Sequence, residues 1–153
     1  MSKYKELGFN RKANYNYEII DKFEAGIVLV GTEVKSLRSN RVNLSDSYAG
    51  LSKDNEVFLY QMNIPKYSLS TISNHEPKRN RKLLLRKREI QKLVGLLKKS
   101  GLSLVPLSIY FNKNGFVKIS LGLGKGKREI DKRETIKQRE WNREKARILK
   151  RQL

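Results

Sequence analysis

The chain has no cysteine, and it holds one histidine and three prolines in 153 residues. Without cysteine it can form neither a disulfide nor a thiolate metal site. The single histidine, His75, excludes a site built from several imidazoles, and we expect this exposed loop residue to be structural. No apolar run approaches the roughly 20 residues that a membrane-spanning helix needs, and the N-terminus does not lead into an apolar signal core. We therefore expect a cytoplasmic protein with no cofactor.

Negative charge is also scarce, because 34 Lys+Arg face 15 Asp+Glu and give a formal net charge of +19. Solubility alone needs less charge than this in a chain of this length. Such an excess predicts salt-sensitive binding to a phosphate backbone. A membrane surface is the competing anion, but no segment could anchor the chain there as a spanning helix. Structured RNA is the partner that this charge favours.

The first forty residues predict an arm, a strand region and a short helix. Residues 1–14 are polar and basic, and we expect a flexible arm. Residues 15–31 are rich in β-branched and aromatic side chains, which predicts two strand segments with a bend or bulge at Gly26. Thr32 is a candidate N-cap for a short helix that ends at Ser39–Asn40.

The remainder of the folded region predicts more strands and one long helix. The helix has apolar residues at i, i+3, i+4 and i+7, and the turns between strands contain Asn, Asp or Gly. Residues 65–77 are polar with proline at both ends, which predicts a loop. The predicted strands cover residues 47–53, 57–64, 102–111 and 116–123, and the helix covers residues 86–99.

Five or six strands in adjacent antiparallel pairs predict a mainly β fold. We expect a small OB-like antiparallel barrel over residues 15–124, with two or three helices at its open ends. Residues 125–153 form a third region, a basic tail in which apolar residues are too sparse to bury one continuous stripe. Its residue types favour helix, and Glu129 and Arg133 form an i, i+4 pair. We expect this tail to be disordered in free solution and helical when bound.

Three basic clusters are candidate RNA-binding surfaces, because Arg and Lys bind phosphates and Tyr rings can stack on unpaired bases. The alternative is a solvated basic face. Near the third cluster, Gly122, Gly124 and Gly126 either let the backbone approach a phosphate or form a flexible exit from the last strand. The clusters are residues 10–13, followed by Tyr15 and Tyr17; residues 78–88; and residues 124–128.

Two further residues leave alternatives open. Glu24 can accept hydrogen bonds from base amino groups, although the pattern alone favours an edge-strand residue paired with a nearby lysine. Trp141, the sole tryptophan, either docks on the folded domain or anchors the tail on a partner. Glu24, Glu33 and Asp46 show no metal-ligand spacing, so we expect neither a metal site nor a nuclease.

Several strings, in order and at compatible spacing, make the chain resemble the SsrA-binding protein (small protein B) family. The resemblance runs from about Asn10 to Lys150. Its strings are residues 10–13 (NRKA), 23–30 (FEAGIVLV), 31–38 (GTEVKSLR), 42–48 (VNLSDSY), 74–77 (NHEP), 81–90 (RKLLLRKREI) and 125–141 (KGKREIDKRETIKQREW).

The resemblance implies an OB-type barrel that is not an enzyme and acts as a monomer. Proteins of this family bind the tRNA-like domain of transfer-messenger RNA (SsrA). With elongation factor Tu and GTP they deliver it to stalled bacterial ribosomes for trans-translation, in which the nascent peptide is tagged for degradation. A ribosomal or ribosome-assembly protein that binds rRNA is the alternative function. A nonspecific single-strand binder is a more distant one.

The resemblance also assigns roles to residues. Tyr15 stands where many family members carry a histidine, and an aromatic ring there can keep a stacking role. The tail would enter the decoding centre of 16S rRNA and the empty mRNA channel. Candidate contacts to the tRNA-like domain are Asn10, Arg11, Lys12, Tyr15, Tyr17, Glu24, Lys125, Lys127 and Arg128. Candidate tail contacts are Asp131, Lys132, Arg133, Trp141, Ile148 and Leu149.

Overall fold

The structure is a computed structural model that describes residues 5–70, 73–98 and 101–152, without the side chains of residues 129–131 and 152. Within these ranges the chain forms seven strands and four helices. In chain order they are β1 (Lys5–Phe9), α1 (Ala13–Asn16), β2 (Tyr17–Ile27), α2 (Gly31–Ser39), β3 (Tyr48–Leu51), β4 (Val57–Tyr60), β5 (Arg81–Leu84), α3 (Lys87–Leu97), β6 (Leu102–Phe111), β7 (Val117–Gly126) and α4 (Glu129–Gln152).

The strands form one antiparallel sheet in the order β1-β6-β3-β4-β5-β2-β7. A further pairing of β6 with β7 joins the two sides, so six strands close into a barrel-like ring. We call this the strand ring, and β1 adds to it along β6. The mainly antiparallel β class predicted from the sequence is confirmed.

Alternating side chains of the strands fill the interior, because successive residues of a strand point to opposite faces. In β7, for example, Val117, Ile119 and Leu121 are buried, whereas Lys118 and Ser120 between them are partly exposed. The helices cover the apolar core with single stripes: α2 buries Leu37 and α3 buries Leu93. One continuous cluster of buried apolar side chains results.

Two strands were not predicted, and one of them replaces the predicted flexible arm. Residues 1–4 lie outside the described range, but Lys5–Phe9 pairs with β6 and buries Leu7. The strand is short and has few apolar residues, so its partner is what holds it. β5, the other unpredicted strand, places Arg81 in the interior, with 0% of its surface exposed.

A buried ion-pair network explains an inward-facing arginine. The guanidinium of Arg81 contacts Glu33 and donates to the carbonyls of Met62 (2.6 Å) and Pro77 (3.0 Å). Arg79 donates to Glu33 as well. Burial by itself would raise the pKa of Glu33, but the hydrogen bonds from Arg79, from the Val30 N–H and from Arg81 outweigh it and hold that pKa below its usual range. The network fastens the segment between β4 and β5 to α2.

His75 belongs to the same region and is buried, not exposed as the sequence suggested. Its Nε2 donates to the carbonyl of Ile64 (2.8 Å), and Nδ1 lies 2.9 Å from the hydroxyl of Thr32. The Thr32 hydroxyl therefore bonds to His75, and the N-cap of α2 is Val30, not Thr32 as predicted. The expectation that His75 is structural agrees with these contacts.

Two local features lie at other residues than the sequence predicted. The register of β2 shifts between Ile19 and Asp21 and not at Gly26, which pairs regularly with Lys118 and Leu84. A Cβ on Gly26 would lie 3.4 Å from Leu84 Cβ, which is an ordinary van der Waals contact. The predicted stop of the long helix at residues 100–101 lies partly outside the described range, and α3 ends at Leu97.

Candidate nucleic-acid interface

The turn after β1 presents two cations by burying its first residue. Asn10 donates through Nδ2 to the carbonyl of Pro106 (2.8 Å), and its Oδ1 accepts the N–H of Lys12 (3.2 Å). Its backbone N–H donates to Leu107 (2.8 Å). Arg11 and Lys12 are left exposed on a turn that is fixed to β6. Asn10 was predicted to contact RNA, but only 5% of its surface is exposed, and its bonds hold the turn in place.

The last basic motif meets this turn at the start of the tail. The N–H of Lys127 donates to Asn16 O (2.9 Å), and its Nζ donates to Asn14 O (2.6 Å) and to Thr135 Oγ1 (2.9 Å). Lys132 Nζ lies 5.7 Å from the ring centroid of Tyr15, within cation–π range. These contacts clamp the first turns of α4 against α1.

Gly124 makes room for a predicted stacking residue. A Cβ added to Gly124 would lie 2.9 Å from Cβ of Tyr17 and 3.3 Å from its ring, so Tyr17 lies directly over the strand. Close packing therefore explains this glycine, and Gly122 is packed in the same way against Ile19 and Leu107. Neither a phosphate approach nor a flexible exit is needed to account for them, because both are buried within β7.

Seven of the predicted RNA-binding residues thus gather where the strand ring meets α4. Lys125 and Arg128 are exposed, and Lys127 is partly buried by the contacts described above. We call this set the tail-base cluster. It consists of Arg11, Lys12, Tyr15, Tyr17, Lys125, Lys127 and Arg128.

Glu24 lies elsewhere, seven residues further along β2 than Tyr17. At about 3.3 Å per residue this is a separation of roughly 20 Å along the strand. The carboxylate of Glu24 accepts a hydrogen bond from the hydroxyl of Tyr110 on β6, and it pairs across β2 and β7 with Ser120. The single surface expected from the sequence is therefore two surfaces on one strand.

Two residues that the sequence analysis did not single out complete the second surface. Lys118 and Leu84 flank Gly26, and a Cβ on that glycine would lie 3.7 Å from Lys118 Nζ. Leu84 is 53% exposed, although it is a large apolar side chain in a strand. We call Glu24, Leu84, Tyr110 and Lys118 the sheet-face cluster. Lys118 stands at a polar position of an alternating strand, but only the pairing of β2 with β7 brings it near Glu24.

The middle basic cluster, residues 78–88, uses three of its seven cations in contacts within the protein, and the other four are exposed. Arg81 is buried and Arg79 binds Glu33. Lys82 lies 3.2 Å from Glu56. Arg81 therefore cannot reach a phosphate, and Arg79 and Lys82 each already face a carboxylate of the chain itself. That the exposed cations of this cluster contact RNA stays a prediction.

The tail forms α4, a helix of 24 residues and about 36 Å. Its described side chains from Ile136 to Arg151 are all exposed, and Trp141 is 56% exposed, with Lys145 Nζ 5.5 Å from its ring centroid. Trp141 thus contacts its own helix one turn on. Ile148 (47% exposed) and Leu149 (62%) continue its side of the helix, because 141 and 148 are seven residues apart.

The other predicted tail residues lie in the first turns of α4. Arg133 is exposed and Lys132 is partly buried. The side chain of Asp131 lies outside the described set. Residues 125–153 carry 12 Lys+Arg against five Asp+Glu, so the exposed helix is strongly cationic.

Other classes of site find no support in the residues that the structure describes. No group of three His, Asp or Glu side chains there could hold a metal ion. Among the same residues, no helix has the length and apolar character needed to cross a membrane. Glu33, one of the carboxylates considered for metal binding, is committed to Arg79 and Arg81.

Comparison with known proteins decides the family. The family model described as SmpB protein matches residues 7–151. The chain belongs to the SmpB family. The SsrA-binding protein of Wolbachia pipientis wMel is 54% identical over 144 residues, which cover 94% of this chain and 96% of that protein. The SsrA-binding protein of Rhizobium meliloti (strain 1021) is 53% identical over 146 residues, covering 95% and 91% of the two chains.

A solved SmpB-family structure is similar in fold as well as in sequence. It is described as "tmRNA-SmpB: a journey to the center of the bacterial ribosome". Its chain is 44% identical to this one with a TM-score of 0.66, and the match covers 88% of this chain and 95% of that chain. The family resemblance seen in the sequence is thereby confirmed.

Proposed function

We propose that this protein binds the tRNA-like domain of transfer-messenger RNA and delivers it to stalled bacterial ribosomes for trans-translation. It acts in the cytoplasm as a binding protein without catalytic residues, and it meets elongation factor Tu through the RNA. The observation that carries this proposal is the match to the SmpB family over residues 7–151, in a chain where a cationic helix projects from a strand ring. The relatives and the solved structure named above support the partner RNA and the ribosome.

The sheet-face cluster has the chemistry to hold a folded RNA. The carboxylate of Glu24 can accept hydrogen bonds from base amino groups. Lys118 supplies a cation for a phosphate, and Leu84 beside Gly26 supplies a flat apolar area. Because Tyr110 fixes the Glu24 carboxylate, the acceptor is oriented before the RNA arrives.

The tail-base cluster continues the RNA contact toward α4. Arg11 and Lys12 are exposed cations on a fixed turn, and Tyr15 and Tyr17 offer aromatic rings at the same end. The clamp formed by Lys127 couples this cluster to the helix. A partner bound at this cluster therefore also fixes the position of the first turns of α4.

The tail suits a channel that has lost its message. A ribosome stalled at the end of an mRNA has an empty channel walled by rRNA phosphates, and the cationic tail can enter it and become ordered there. An intact mRNA would fill the same volume and exclude the tail. The helix would be anchored by Trp141, Ile148 and Leu149, because covering exposed apolar side chains with a partner surface is favourable.

Sequencing the RNA that remains bound through purification at moderately high salt tests the proposal. We expect one abundant small RNA, the transfer-messenger RNA. A pool dominated by fragments of rRNA would instead support a ribosomal or ribosome-assembly protein. A heterogeneous pool without preferred structure would support a nonspecific single-strand binder.

A further inference from the structure

Two neighbouring clefts lie where the turn after β1 meets the loop before β3. Each has a volume of about 280 Å³, and Ser45 lines both of them. Arg11 lines one cleft and Lys12 lines the other. These two residues are consecutive, with Cα atoms about 3.8 Å apart. The clefts are therefore side by side, and each has its own cation.

Each cleft also has an exposed aromatic ring. Tyr48 lines the cleft of Lys12 and is 54% exposed, while its ring stacks on Tyr60 with centroids 5.2 Å apart and planes inclined by 29°. Phe9 lines the cleft of Arg11 and is 53% exposed. Neither aromatic side chain is part of the buried core of the strand ring. Tyr48 is already held by Tyr60, so stacking a further planar group on it would cost little conformational entropy.

The charge around the clefts is positive. Arg41 lines the cleft of Phe9 and is exposed. Lys5 and Arg38 are two further exposed cations on the neighbouring surface. They lie close together, because Lys5 Nζ donates to the carbonyl oxygen of Arg38 (3.3 Å). Asp46, next to Ser45 in the chain, is an exposed carboxylate of this region. The exposed Lys and Arg side chains named here thus outnumber this carboxylate, as is usual at surfaces that bind a phosphate backbone.

We propose that the two clefts bind two consecutive unpaired nucleotides of RNA, with one base stacked on Tyr48 and the next on Phe9. Arg11, Lys12 and Arg41 then hold the phosphates. This inference rests on the proposed function only in taking RNA as the partner. It assigns base-stacking roles to Phe9 and Tyr48, and it gives the Arg11–Lys12 turn unpaired RNA as its substrate.

The size and composition of the clefts favour unpaired RNA over the alternatives. Each volume is just below the roughly 300 Å³ at which sites for drug-sized molecules begin, so each cleft suits a single base. A base in a duplex is stacked on its neighbours and has no free face for Tyr48 or Phe9. An acidic peptide would satisfy the cations but would leave both aromatic rings without a role.

Photo-crosslinking tests the proposal with the full chain and a short oligouridine that carries 4-thiouridine. We expect crosslinked peptides that contain Phe9 and Tyr48. The changes Phe9→Ala and Tyr48→Ala should each weaken oligouridine binding about tenfold, since stacking is lost at one base. Phe116→Ala is the matched control, because Phe116 is 66% exposed in the turn between β6 and β7 and lines neither cleft.

Three results would overturn the inference: crosslinks only at other sites, an equal loss in Phe116→Ala, or equal competition by an RNA duplex. Displacement of the oligouridine by polyglutamate, with Phe9→Ala and Tyr48→Ala unaffected, would identify an acidic-peptide site instead. Binding of the folded tRNA-like domain is measured in parallel with wild-type protein. If that RNA binds and the clefts take no oligouridine, only this inference fails; if it does not bind, the proposed function fails.

Discussion

The strand ring and α4 are both regular structure, but opposite forces hold them. The ring buries a continuous apolar cluster and a charge network around Glu33 and Arg81. In α4, every described side chain beyond Thr135 is exposed, and the ion pair between Arg147 and Glu144 is on the surface. Burial stabilises the ring, whereas an exposed helix of high charge depends on its own hydrogen bonds and on a partner.

This difference assigns separate tasks to the two regions. A rigid ring can present Glu24 and Lys118 in one fixed geometry, which suits a folded RNA. A marginal helix can be ordered or disordered according to its surroundings, which suits a test of whether a channel is empty.

Removal of residues 129–153 should have the largest effect on function and almost none on the ring. We expect peptide tagging on stalled ribosomes to be abolished, while affinity for the tRNA-like domain stays nearly intact. Tagging is measured in a translation assay on a message without a stop codon, and affinity by filter binding. An equal loss of both activities would contradict the division of tasks.

Amide hydrogen exchange should separate the two regions in the free protein. Buried strand amides of β2 and β7 open only with the ring, so we expect their exchange to be slowed at least about a thousandfold relative to α4. This tests the expectation that the tail is disordered in solution and gains its helix when bound. Comparable protection in α4 and β7 would show that the helix is stable without a partner.

Arg81→Ala should destabilise the ring by about 3–5 kcal/mol, because Glu33 would be left as a buried charge with one partner fewer. Chemical denaturation measures the free energy of unfolding. Lys82→Ala is the control from the next residue, since the pair of Lys82 with Glu56 is exposed on both sides and contributes about 0–1 kcal/mol. Similar losses in the two variants would rule out a special role for the buried pair.

Lys118→Glu should weaken binding of the tRNA-like domain by roughly ten- to a hundredfold, because a charged hydrogen bond to RNA becomes a repulsion. Lys113→Glu makes the same charge change in the exposed turn between β6 and β7 and should have a much smaller effect. Filter binding at several salt concentrations measures both. If the two variants lose equal affinity, the net charge rather than the sheet-face cluster determines binding.

Glu33 should make a smaller contribution, which appears in how the free energy of unfolding depends on pH. Its pKa is held below the ordinary value of 4.5 in the folded protein, so its contribution to stability is complete above about pH 4.5 and is lost as pH falls through the lower folded-state pKa. We expect Glu33→Gln to be less stable at neutral pH and to lose part of the acid dependence. Denaturant titrations between neutral and acid pH give both quantities, and an unchanged acid slope would contradict this cause.

Local patterns in the sequence predicted the elements that local forces determine. The helix near residue 32, the long helix with Leu93 on its buried face and the turn at Asn114–Gly115 all follow from spacing or turn chemistry. Gly115 has a φ of 82°, as this turn requires. The strands from Leu102 and Phe116 onward were found because their apolar content is high.

The missed features depend on partners far away in the chain. β5 carries an inward arginine whose charge is neutralised by Glu33, 48 residues earlier. β1 is a strand because β6 is beside it. Glu24 meets Tyr110 across 86 residues, so no local pattern could separate the sheet-face cluster from the tail-base cluster. The sequence predicted which residue types to examine, and the pairing of β2 with β7 and β6 decided their grouping.

Lys127 turns small movements at the strand ring into large ones at the far end of the tail. Its three hydrogen bonds are made within a few residues of the point where α4 begins. With a helix of about 36 Å beyond that pivot, a rotation of about 10° displaces the C-terminal end by about 6 Å. The clamp at the base of α4, to which Lys127 gives three hydrogen bonds and Lys132 a contact with Tyr15, therefore governs the direction in which the tail extends.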